Sequence, residues 1–142
     1  MQEIPNNYTE NVGEEWEPQD SILLKKIIDM MLYAYIVLRN FPKSERYAIV
    51  ADIKRCMDEM MELVIEADNK HYKKSTLHDL DTVNKKLKKY ILLTFKLKFL
   101  AMKQYENWTE KVTEIGRIIG GRIAAEEAKE ARETRSKQRN YR

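Results

Sequence analysis

Apolar residues recur along this chain at helical spacing, in four series separated by short polar breaks. The most regular is Leu80, Val83, Leu87, Tyr90, Thr94, Leu97 and Ala101. Its alternating steps of three and four predict the seam of an amphipathic helix. A further series, Tyr105, Trp108, Val112, Ile115 and Ile119, keeps the same step and runs into Gly120 and Gly121, a pair suited to a helix stop or a tight approach. No proline or glycine divides the two series. One unbroken helix from Thr76 to Gly120 would be about 65 Å long, roughly twice the helices before it. The spacing therefore predicts two helices, with a break near Ala101.

Upstream, Asp20 or Ser21 is placed to cap a first helix reaching about Arg39, with Leu24, Ile28, Met31, Tyr35 and Leu38 inward. Ile22, Leu23, Ile27, Leu32 and Ile36 give it a second apolar flank. Asn40-Phe41-Pro42 ends it, because proline lacks an amide donor and restricts its predecessor. Ser44 is positioned to cap a second helix from Glu45 to about Asp68, with Val50, Ile53, Met57, Met60, Val64 and Ala67 inward. The stretch from Asp68 to Thr76 has no apolar period and reads as an exposed turn, with Ser75 or Thr76 capping the third helix.

Four comparable helices joined by brief loops predict an all-α fold, an antiparallel up-down-up-down four-helix bundle. Residues 1–19 read as an acidic flexible arm broken by Pro5, Gly13 and Pro18, which Trp16 is able to dock on the body. Residues 20–123 form the bundle. Residues 124–142 read as a helical extension that becomes a basic, fraying tail.

Composition sharpens this picture in two places. The net charge of +3 hides an asymmetry: residues 1–20 hold six acids and no Lys or Arg, leaving the remainder about nine positive charges in excess. The lone cysteine, Cys56, falls beside an apolar series and predicts a buried free thiol, compatible with a reducing compartment. No window approaches the roughly 18 apolar residues of a membrane span. The N-terminus shows neither a basic leader nor an apolar signal core, so we expect a cytoplasmic protein and no membrane partner.

Catalytic chemistry finds no convergent residues. Glu59, Glu62 and Glu66 share a helical face off the Met57, Met60, Val64 seam, where a solvated face is the simpler reading. A di-metal bundle needs inward carboxylates with Glu-x-x-His pairs, which are missing. His71 and His78 fall in or beside the polar junction, no serine or cysteine has a triad context, and the Gly pair lacks a phosphate-loop signature. We expect no enzyme activity, no metal and no cofactor.

The cations are the stronger signal. Lys85, Lys86, Lys88, Lys89, Lys96 and Lys98 crowd the third helix, with only Asp79 and Asp81 nearby to offset them. Together with Arg117 and Arg122 they are the candidate nucleic-acid contacts. Lysine meets phosphate as a point charge, so binding to RNA and DNA should be salt-dependent and weakly sequence-specific. Ile27, Leu32, Ile91, Phe95, Phe99 and Ile118 fall outside the single seams and are candidates for an oligomer interface or a protein partner.

These residues carry a family resemblance. The run from Leu38 to Ala67 and that from Asn84 to Ile123 resemble the accessory variability determinant (Avd) protein of diversity-generating retroelements. The most specific pieces are Phe41-Pro42-Lys43 with Arg46, Lys103-Gln104-Tyr105, and Ile115-Gly116-Arg117 through Gly120-Gly121. The resemblance implies a four-helix protomer assembling as a basic homopentameric barrel. It also implies binding of the element's reverse transcriptase, template RNA and DNA, in support of mutagenic copying, without polymerase activity of its own. The chain departs from the family in using Lys alone on the third helix. A related bundle family, encoded by intervening sequences within 23S ribosomal RNA genes, shares the aromatic-Pro turn; we expect it to lack the Gly-Arg-x-x-Gly-Gly ending.

Overall fold

The computed structural model describes residues 16–140. Among them are four α-helices and no strand: α1 (Ile22–Leu38), α2 (Ile49–Asn69), α3 (Lys74–Lys96) and α4 (Met102–Asn140), with a 3₁₀ turn at Lys43–Glu45. The arrangement is a four-helix bundle in which α1 packs on α2, α2 on α3, α3 on α4, and α4 closes back on α1. Most of the acidic arm expected over residues 1–19 lies outside the described residues. Its end does not: Trp16 lies beneath Lys25, whose ammonium is 5.9 Å from the ring centroid.

The core is one continuous cluster centred on Trp108, which is fully buried and directs its indole N–H at Met30 Sδ, 3.4 Å away. On α2 the expected seam is the observed one, with Val50, Ile53, Met57, Met60, Val64 and Ala67 all buried. Helix α1 differs. Its buried residues include Leu23, Leu24, Ile27, Met30, Ala34 and Val37, while Ile28 and Met31 are half-buried and Tyr35 is exposed. The charged residues of α1, Lys25, Lys26 and Asp29, are confined to its first half, and apolar residues surround the rest of the helix; Trp108 seats on Met30 at the observed phase.

Capping decides where the helices begin. Ser21 caps α1 as expected, its hydroxyl accepting from Leu24 N–H at 3.1 Å and donating to Asp68 at the end of α2 at 2.8 Å. Ser44 does not cap α2. It lies inside the 3₁₀ turn, and α2 starts only at Ile49 after Ala48, which offers no side-chain cap. Likewise α3 starts at Lys74 ahead of Ser75 and Thr76, and Thr76 is buried in its first turn.

The break between α3 and α4 falls where length demanded it, at residues 97–101. Lys98 N–H bonds Phe95 C=O at 2.9 Å and Phe99 N–H bonds Thr94 C=O at 3.0 Å. This Schellman pair needs a left-handed residue between them, and Lys98 takes that place with φ 65°. Leu97 and Ala101, assigned to the seam, are exposed because the helix has already ended.

Gly120 and Gly121 do not stop α4, which continues through both to Asn140, 39 residues in all and about 58 Å long. Neither glycine has a positive φ, and Ala-, Glu- and Lys-rich sequence follows, so propensity carries the helix onward. The tight approach occurs instead at Gly116, against Asn84 of α3. Residues 131–140 are all exposed. Near its base the extension is tied to the start of α3, Lys74 Nζ lying 3.3 Å from Glu130 and 3.9 Å from Glu127. No helix among the described residues is long and apolar enough to cross a membrane.

Candidate nucleic-acid interface

Helix α3 turns Leu77, Leu80, Leu87 and Ile91 into the core, which forces the intervening lysines outward. Lys85, Lys86, Lys88, Lys89 and Lys96 are all exposed, and so is Lys98 in the turn that follows. Lys85, Lys89 and Lys96 share one outward line at spacings of four and seven. A single carboxylate answers them at close range: Asp81 is 3.0 Å from Lys85 Nζ. Lys86 lies 5.9 Å from the Tyr90 ring centroid. The face therefore offers several cations to solvent.

The two arginines part company. Arg117 is exposed, whereas Arg122 is half-buried with its guanidinium 3.1 Å from Asp68, the carboxylate that also receives the Ser21 hydroxyl. Arg122 is thus occupied in joining α4 to the start of α1 and the end of α2 and, unlike Arg117, is not presented freely to solvent.

The apolar candidates are likewise redistributed. Ile27 and Ile91 are fully buried in the protomer's own core and present nothing to a partner. Phe95 stacks on Tyr105 with centroids 4.4 Å apart, Phe99 meets Phe41 at 5.6 Å, and Ile118 is half-buried against the same core. Of the six, Leu32 alone stands out as exposed. It belongs to a groove of about 430 Å³ in which Ile28, Met31, Tyr35 and Ile36 face Met61 of α2. Sequence reading missed this surface because it had turned Ile28, Met31 and Tyr35 inward; the register imposed by Trp108 was the signal it lacked.

The remaining reactive groups are spread apart. Glu59, Glu62 and Glu66 are exposed, and Glu66 pairs with Lys70. His71 and His78 are exposed, His71 packing edge-on against Tyr72 at 4.7 Å. Among the described residues no group of three or more His, Cys, Asp or Glu is placed to hold a metal ion. Cys56 is buried, its thiol 3.6 Å from Val83 C=O, and burial pushes its pKa up to about 11 against a smaller pull from Lys86. Burial also raises the Tyr33 phenol, partly offset by a hydrogen bond with Asn107.

A family model described as bAvd-like matches residues 21–126. The chain belongs to the bAvd-like family. That match takes in all of α1, α2 and α3 and the bundled part of α4, so the lysine face lies inside the family's region and the free end of α4 outside it. No curated protein matches the chain.

Proposed function

We propose that this bAvd-like protein is a noncatalytic accessory subunit of a diversity-generating retroelement, working in the cytoplasm. It binds the reverse transcriptase and template RNA or DNA, and it assembles as a homopentameric barrel of antiparallel bundles. Family membership supports the accessory role. The observation that carries the nucleic-acid part is the outward line of Lys85, Lys89 and Lys96, with Lys88 and Lys98 beside it and Asp81 alone in ion-pair contact. Bound phosphates would displace counterions from this face, making affinity fall with salt.

The groove between α1 and α2 supports self-association through Leu32 and Tyr35, both exposed in the protomer at its rim. Antiparallel packing is supported by the pairing of α1 with α4, where Lys26 meets Glu114 at 3.1 Å and Asp29 meets Lys111 at 3.3 Å, the numbers rising on one helix as they fall on the other. The same groove favours a second reading, a structural bundle whose partners are only proteins, of which the ribosomal-RNA intervening-sequence type is one form.

Light scattering and copurification separate these readings. The accessory role predicts a salt-resistant pentamer that copurifies with a retroelement reverse transcriptase. A monomer at low and high salt that fails to retain the enzyme would contradict it.

A further inference from the structure

The aromatic-Pro turn, one of the pieces that carry the sequence resemblance, does more than end α1. Phe41 is buried and leans on Phe99, anchoring the turn beside the α3–α4 connection. Pro42 opens the 3₁₀ turn, in which Arg46 N–H bonds Lys43 C=O at 3.2 Å. At three residues per turn, Lys43 and Arg46 project to the same side. Arg39 comes from the end of α1, and Lys54 from α2, its ammonium 4.7 Å from the ring centroid of Tyr35. Three elements thus bring four cations around one cavity of about 280 Å³, which Tyr35 and Phe41 also line.

No carboxylate lines this cavity, and none of the described residues forms an ion pair with Arg39, Lys43, Arg46 or Lys54. Lys86, Lys88, Lys89, Lys96 and Lys98 on the α3 face likewise have none; what sets these four apart is that they line one cavity. Four like charges converging without a counterion repel one another, and an anion seated among them relieves that repulsion. Two of them are guanidiniums, whose planar fork matches phosphate oxygens two at a time. The cavity is roomier than a bare phosphate requires and lies below the usual range for larger cofactors. Its aromatic walls favour a ligand that joins a phosphate to a flat, partly apolar group.

We propose that this pocket binds the phosphate of a nucleotide unit, with Arg39 and Arg46 as the principal contacts and Lys43 and Lys54 completing the cationic wall. The assignment rests on the reading that the protein handles nucleic acid, yet it does not require the α3 lysines. Two sources share this chemistry, a free nucleotide and a nucleotide within a single strand.

The test titrates wild type, Arg39→Ala/Arg46→Ala and Lys85→Glu/Lys89→Glu/Lys96→Glu with adenosine monophosphate, inorganic phosphate and a labelled single-stranded RNA. Circular dichroism confirms that each variant is folded. The pocket variant should weaken binding of at least one nucleotide probe by about tenfold, while the α3 variant leaves monophosphate binding within about twofold. Arg39→Lys/Arg46→Lys should recover part of the loss. Pocket-dependent binding of the monophosphate identifies a free-nucleotide site; dependence seen only with RNA identifies a chain phosphate. Nucleotide probes indifferent to the pocket variant, or inorganic phosphate binding as tightly as either, would overturn the proposal. Loss of RNA binding in the pocket variant but not in the α3 variant would instead count against the lysine strip.

Discussion

Asn84 and Gly116 are fitted to each other across the α3–α4 contact. The buried Asn84 amide donates to Val112 C=O at 3.1 Å, and a Cβ on Gly116 would lie only 3.3 Å from the same Nδ2. Gly120 and Gly121, by contrast, have open space where a Cβ would go. Gly116→Val should therefore destabilise the bundle by about 2–3 kcal/mol through overpacking. Gly120→Ala and Gly121→Ala should each stabilise it by about 0.5–1 kcal/mol through helix propensity. Urea unfolding of the three variants checks both signs.

Lys98 holds a left-handed conformation that favours glycine, in a turn whose two backbone hydrogen bonds depend on it. Lys98→Gly should raise stability by about 1 kcal/mol, and Lys98→Val should lower it by a similar amount or more. A thermal melt of each variant measures this. The glycine variant also removes one cation, so its RNA affinity tests whether Lys98 belongs to the phosphate face.

The Asp29–Lys111 pair is largely shielded, with side chains 14% and 17% exposed, while Lys26–Glu114 nearby is 44% and 48% exposed. Lys111 also lies 5.5 Å from the Tyr33 ring centroid, and the second Asp29 oxygen, Oδ1, is buried without a hydrogen-bond partner. Lys111→Met should cost about 1.5–3 kcal/mol by leaving a shielded carboxylate unpaired. Lys26→Met should cost less than about 1 kcal/mol. Equal losses in chemical denaturation would contradict this ranking.

Cys56 gives the fold a dependence on alkaline pH. Its folded pKa, about 11, lies above the ordinary thiol value of 9.0, so the unfolded thiol releases its proton first. Between these values the folded state binds more protons than the unfolded state, and stability falls as pH rises. The contribution is fully present below about pH 9 and lost through about pH 11. Tyr33, also raised by burial, adds to the decline above pH 10.0. Cys56→Ala should flatten the lower part of the curve, and a folded-state thiol assay near pH 8 should find Cys56 almost unreactive.

Much of this architecture was legible, and the exceptions have physical causes. Helix α2 could be phased correctly because charged residues interrupt its Met and Val positions, while α1 could not because apolar residues surround it. The helical extension beyond Gly121 was readable from its Ala- and Glu-rich run, but the glycine pair, also open to reading as a stop, is crossed without a break and α4 continues to Asn140. The outward lysines of α3 were readable from a period already fixed by Leu80 and Leu87. Arg122 was not, because its partner Asp68 is 54 residues away in sequence. The cationic pocket was hidden for a different reason: its four charges lie close together in sequence, but only the 3₁₀ turn between α1 and α2, which the pattern did not reveal, folds them around one cavity.

The central claim is that the α3 lysines hold nucleic acid. Its most direct test is the affinity for single-stranded RNA, measured by fluorescence anisotropy across a salt series for wild type and Lys85→Glu/Lys89→Glu/Lys96→Glu. The account predicts that the variant binds at least about tenfold more weakly near 0.1 M salt and that its log–log salt slope is shallower by about two. Equal affinities and equal slopes would contradict it.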